Sequence, residues 1–146
     1  MVFVHGALHD HSVWILQSRY LAHHGYNVMA VDLPGHGRSA GSALDVPAAG
    51  QWLAQCVDAA GWDRVYWVGH SMGSLIAMEA AGQHATLTQG LFMVGTAYPM
   101  KVSGALLQMS QEDPLRAIDL VNTLSISTQA AKPSHPGDRK STRLNS

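Results

Sequence analysis

The chain has 146 residues, 47% of them hydrophobic and 13% charged, with a formal net charge of −1 and a mean hydropathy of +0.01. That is the composition of one soluble globular domain; a disordered tail would be poorer in apolar residues, and nine scattered Lys and Arg make no basic surface for nucleic acid. The N-terminal run Met1-Val2-Phe3-Val4-His5-Gly6 is too short for a signal peptide or membrane span, and the single cysteine, Cys56, rules out an intrachain disulfide, so the expected setting is the cytoplasm, with no membrane partner.

Val2-Phe3-Val4 reads as a buried strand running into a loop at His5-Gly6. Asp10 or Ser12 is placed to cap a helix that carries Val13, Trp14, Leu16, Tyr20 and Leu21, and Gly25 stops it. Residues 26–31 form the next strand, followed by the glycine-punctuated loop Asp32-Leu33-Pro34-Gly35-His36-Gly37-Arg38-Ser39. With Asp45 as N-cap and Pro47 in the first turn, apolar positions 49, 52, 53, 56, 57 and 60 define one helix face. Residues 65–68 are a third strand and lead directly into Gly69-His70-Ser71-Met72-Gly73. Residues 74–83 are helical in character, residues 91–94 a fourth strand, and residues 103–109 and 114–124 two shorter helices, the second capped by Asp113. Alternating strands and helices predict an α/β parallel sheet of about four strands with right-handed crossovers, and the continuous apolar character of the strands predicts helices on both faces.

Gly69-His70-Ser71-Met72-Gly73 fits G-x-S-x-G between a strand and a helix. Such a turn holds its serine in an unfavourable backbone conformation and crowds its neighbours, so the positions two before and two after must be small. Gly69 and Gly73 are. The helix that follows directs its amide dipoles at an oxyanion, with the Met72 N–H as one donor.

With Val2-Phe3-Val4-His5-Gly6-Ala7, Val31-Asp32-Leu33-Pro34-Gly35-His36-Gly37-Arg38-Ser39 and Val68-Gly69-His70-Ser71-Met72-Gly73 in this order, the chain resembles the N-terminal half of an α/β-hydrolase fold serine hydrolase over residues 2–137. The resemblance implies an incomplete core over residues 1–97 and the start of a helical lid over residues 98–137. It implies Ser71 as nucleophile, Met72 and Ala7 as oxyanion donors with Leu8 as the alternative to Ala7, and His5, Gly6, Gly69, His70 and Gly73 as support. It also implies the strand order in which residues 2–4 lie beside residues 65–68, at a switch point where ligands bind.

The family's order continues from serine to an acid and then a histidine. Residues 95–97, Gly-Thr-Ala, follow the fourth strand with no carboxylate. Glu112, Asp113 and Asp119 lie in the helical region, and His135 has no strand to deliver it. The acid and base are therefore expected outside this segment, and residues 1–146 alone are expected to be inactive and poorly soluble. The activity implied is hydrolysis of a small apolar carboxylic ester through an acyl-enzyme on Ser71 without a cofactor; the alternative is a non-catalytic ligand-binding member of the same fold. A serine rather than an aspartate argues against dehalogenase and epoxide hydrolase chemistry. Met100, Leu106, Leu107 and Met109 suggest an apolar pocket.

His5, His9, Asp10 and His11, followed by His23 and His24, invite a metal reading. Their spacing matches no usual short metal signature, so capping and exposure are expected instead, and no metal is assigned. Asp32 and Arg38 are expected to hold their loop, and Cys56 to be core. Residues 138–146, Asp-Arg-Lys-Ser-Thr-Arg-Leu-Asn-Ser, resemble the translation of a common short-read sequencing adapter and are expected to be a non-native tail.

Overall fold

A computed structural model describes residues 1–125; His135 and residues 138–146 lie outside them. The described chain falls into two compact units divided between Met100 and Lys101. None of its helices is long and apolar enough to cross a membrane.

The first unit is a parallel sheet of β1 (Val2–Val4), β2 (Met29–Ala30), β3 (Val65–His70) and β4 (Thr88–Val94) in the order β2-β1-β3-β4. Val2 pairs with Met29 and with Trp67, so β1 is central, and every residue of β1 is buried. Alternation divides its side chains between two cores. Val2 and Val4 join Val65, Trp67 and the buried faces of α2 (Val46–Ala59) and α3 (Met72–Gln83), including Leu53, Val57, Ile76 and Ala80. Phe3 faces the other way, onto Trp14 and Val68.

Local chemistry explains the helix ends. The Asp45 carboxylate accepts the Ala48 N–H at 2.9 Å at the start of α2, with Pro47 in the first turn. Asp10, rather than Ser12, caps a 3₁₀ turn (His11–Trp14) that leads into α1 (Ile15–His23). In the second unit Ser103 caps α4 (Gly104–Glu112), Asp113 caps α5 (Pro114–Leu124), and the two helices pack together.

Three expectations need correction. The strand expected over residues 26–31 contracts to Met29–Ala30, the stretch in register with Val2 and Phe3 of β1, with the Val31 N–H adding one bond to the Phe3 carbonyl. Both faces of the sheet are not evenly covered: Phe92, Met93 and Val94 at the end of β4 are each at least 40% exposed. In the first helical segment only Trp14 is buried, while Leu16 and Tyr20 are more than half exposed and line, with Gln17 and Leu21, an open groove. Apolar spacing marks a face; it does not supply the element that covers it.

Asp32 organises the loop after β2. Its carboxylate accepts the His11 N–H at 2.7 Å and the Arg38 N–H at 2.9 Å, and it meets His11 Nδ1 at 2.7 Å. The Arg38 contribution is its backbone, not its guanidinium. Burial pushes the Asp32 carboxyl up, but the N–H donors of Arg38 and His11 and the His11 ring outweigh it and hold the pKa down to about 2. Asp32→Ala is expected to cost about 2–3 kcal/mol in urea denaturation at neutral pH, since it strands charge-assisted donors. A depressed carboxylate stabilises the fold fully above its unfolded value of 3.8 and loses that contribution as pH falls through about 2. The gap between wild type and variant should therefore narrow in acid.

Candidate active site

Ser71 is the single residue between the end of β3 and the start of α3. To reverse direction there it takes φ 52° and ψ −123°, a left-handed conformation rare for a residue with a side chain and costing about 1–3 kcal/mol. Three hydrogen bonds hold it. Its N–H donates to the Val94 carbonyl at 2.9 Å, and its carbonyl accepts the Ser74 N–H at 2.9 Å and the Ser74 hydroxyl at 2.5 Å. Thr96 Oγ1 donates to Ser74 Oγ at 2.8 Å, which leaves the fully buried Ser74 with a donor and an acceptor satisfied. Sequence reading did not single out Ser74 or Thr96; a serine three residues past the turn is the only local signal.

The turn closes only because its flanks lack side chains. A Cβ on Gly69 would press into the Gly73 carbonyl and stand 2.5 Å from Ser74 Cα. One on Gly73 would meet the His5 carbonyl and lie 2.5 Å from the Val4 carbonyl oxygen. These contacts also seat α3 against the end of β1, where Val4 registers with Gly69.

The loop after β1 runs beside the turn. A Cβ on Gly6 would be 3.3 Å from Ser71 Cβ and 3.1 Å from His70 Nδ1, so Gly6 and Ser71 are neighbours. His5 anchors this loop. Its Nε2 accepts the Leu33 N–H at 3.1 Å, which leaves Nδ1 to carry the proton and donate to the Gly6 carbonyl at 2.8 Å. Burial, together with the nearby His36, holds the His5 pKa below its usual value against the opposing pull of the Gly6 carbonyl, so the ring is neutral as these bonds require. Ala7 is exposed, and its N–H donates to no backbone carbonyl among the described residues. As the first residue of α3, Met72 has no intrahelical acceptor for its N–H. Leu8, the alternative to Ala7, takes a positive φ of 60°. The Ala7 and Met72 N–H groups thus lie on the two segments flanking Ser71.

The Ser71 hydroxyl does not cap α3; its partner among the described residues is Met100 Sδ at 4.0 Å. His70 turns its ring to Gly6 and Gly95, edge-on to His9, and burial, then the charge of His9, lowers its pKa. It makes no hydrogen bond to its neighbour's hydroxyl in the described structure. Glu112 accepts from the Gln108 side chain at the end of α4, and Asp113 is occupied in capping α5. Asp119 lies exposed on α5.

The histidine cluster disperses. His5 is in the loop anchor, His9 faces His70, and His11 binds Asp32. Among the described residues Asp10, His11 and Asp32 bring three potential ligand atoms within 4.8 Å of one another. Their oxygens already face N–H groups of Ser12, His11 and Arg38. Cys56 is half-buried at the edge of the core rather than within it.

The family model for the alpha/beta hydrolase fold matches residues 1–130. The chain is 30% identical over 100 residues to (E)-2-((N-methylformamido)methylene)succinate hydrolase of Acinetobacter baylyi, which covers 67% of this chain and 38% of that protein. It is 38% identical over 72 residues to pimeloyl-[acyl-carrier protein] methyl ester esterase of Edwardsiella ictaluri, 49% of this chain and 27% of that one. An esterase structure from Exiguobacterium antarcticum superposes with a TM-score of 0.79 at 21% identity, over 98% of this chain and 58% of the other. The chain thus spans well under half the length of these two curated relatives.

Proposed function

The chain belongs to the alpha/beta hydrolase family, and from that premise we propose that the whole protein is a serine hydrolase acting by acyl transfer. The observation that carries this reading is Ser71: one strained residue between strand and helix, its hydroxyl uncommitted to the helix, beside Gly6 of the β1 loop. Ser71 Oγ attacks a carbonyl carbon, and the Met72 and Ala7 N–H groups receive the negative charge that develops on the carbonyl oxygen. His5 holds the Ala7 loop in place through Leu33. Among the described residues none is placed to draw the Ser71 proton; the histidine base and its acid partner come from outside residues 1–125, and the proposal includes that residues 1–146 by themselves are inactive.

Carboxylic ester hydrolysis is the preferred reaction. The Edwardsiella relative is named for a methyl ester, the Acinetobacter one for an N-methylformamido compound, and both names are hydrolytic. The exposed apolar end of β4, beside the carbonyl that receives the Ser71 N–H, favours a small apolar substrate. Treatment of the complete protein with a fluorophosphonate, followed by peptide mapping, should place the adduct on Ser71. An adduct elsewhere, or equal labelling of Ser71→Ala, overturns the assignment.

A further inference from the structure

We propose that Met100 is an oxidation site whose sulfoxide silences Ser71, an inference that rests on the nucleophile reading above. The Ser71 hydroxyl has one hydrogen-bond partner among the described residues, the Met100 thioether at 4.0 Å, brought there from 29 positions along the chain. Both residues are half-buried, within reach of a small oxidant and of each other. A thioether is a weak acceptor, and at this distance it leaves the hydroxyl proton available to a base.

Hydrogen peroxide changes that balance. A sulfur lone pair takes one peroxide oxygen as the O–O bond breaks, and the departing oxygen leaves as water. The sulfur is oxidised by two electrons and the peroxide is reduced. The product carries a polar oxygen on the sulfur that already faces Oγ. That oxygen is a strong acceptor for the Ser71 O–H, so the proton turns toward it and away from the base, while the added atom crowds the hydroxyl. Met78 and Met93 are more exposed and oxidise too, but Met78 sits on the outer side of α3 and Met93 in β4, and neither is a partner of the Ser71 hydroxyl.

The test uses the complete protein titrated with hydrogen peroxide. The rate of fluorophosphonate labelling at Ser71 is followed together with the sulfoxide content of each methionine by peptide mass. Labelling should fall at least tenfold in step with Met100 sulfoxide and out of step with Met78 and Met93. Methionine sulfoxide reductase should restore it, and Met100→Leu should keep its own starting rate after peroxide. Undiminished labelling with Met100 oxidised, equal loss in Met100→Leu, or a Met100 that stays reduced while Met78 and Met93 oxidise overturns the proposal. Absence of Ser71 labelling before any peroxide removes the nucleophile reading and this inference together, whereas labelling that peroxide leaves untouched removes this inference alone.

Discussion

Replacing Ser71 with alanine in the complete protein should lower ester turnover by ~10⁴- to 10⁶-fold, the loss seen when a nucleophile that works with a base is removed. The same position should separate activity from stability. At φ 52° and ψ −123° every residue with a Cβ is strained, and the strain is held by Val94, Ser74 and, through Ser74, Thr96. Alanine keeps that strain and glycine releases it. Ser71→Gly should therefore be as inactive as Ser71→Ala yet more stable by about 1–2 kcal/mol, the strain released less the entropy glycine adds to the unfolded chain. Urea midpoints of the two variants, measured beside their turnover, decide it. If Ser71→Gly is the less stable of the two, the turn is not strained as described.

A large loss of stability is expected from one methyl group at Gly73. The new carbon would be driven against the Val4 and His5 carbonyls, and Val4 belongs to β1, buried and paired on both sides. No flexible side chain is available to yield, so the cost should exceed the ~1–3 kcal/mol typical of overpacking. Total stability of a domain is only about 5–15 kcal/mol, and Gly73→Ala should give little folded protein. Gly82, in the same helix, is the control: nothing lies within 4 Å of a Cβ built there. Gly82→Ala should stabilise by up to about 1 kcal/mol, because alanine is the better helix former and meets no clash. Equal behaviour of the two variants in thermal or urea denaturation would refute the packing account of the turn.

The turn motif shows why part of this site was legible in advance. Gly69, Ser71 and Gly73 are adjacent in sequence, and their geometry follows from local sterics between a strand and a helix. The strand order was legible as well, through the family resemblance, and the observed order β2-β1-β3-β4 agrees with it. Helix starts at Asp45 and Asp113 were readable because a cap and the N–H groups it satisfies lie within three residues of each other, whereas Ser103, read as part of its helix, caps it instead.

What the amino-acid sequence determined by itself is thus what local chemistry and periodicity determine: the alternation of elements, the parallel sheet, the caps and the strained serine. Tertiary structure decided what depends on partners distant in the chain. β4 extends back to Thr88 through Gln89 and Gly90, residues of low strand propensity, because β3 offers partners from Val65 to His70, with a register shift between Val65 and Tyr66 that leaves Gln89 without a partner in the register. α1 keeps Leu16 and Tyr20 exposed because no described element covers that face. The tautomer of His5 is set by the Leu33 N–H, 28 residues away, and the neighbour of the Ser71 hydroxyl by the path that returns Met100 to it. Hydrogen bonds and contacts between such separated residues leave no period or motif in the sequence, since any residue of suitable chemistry can be carried to the spot by the fold.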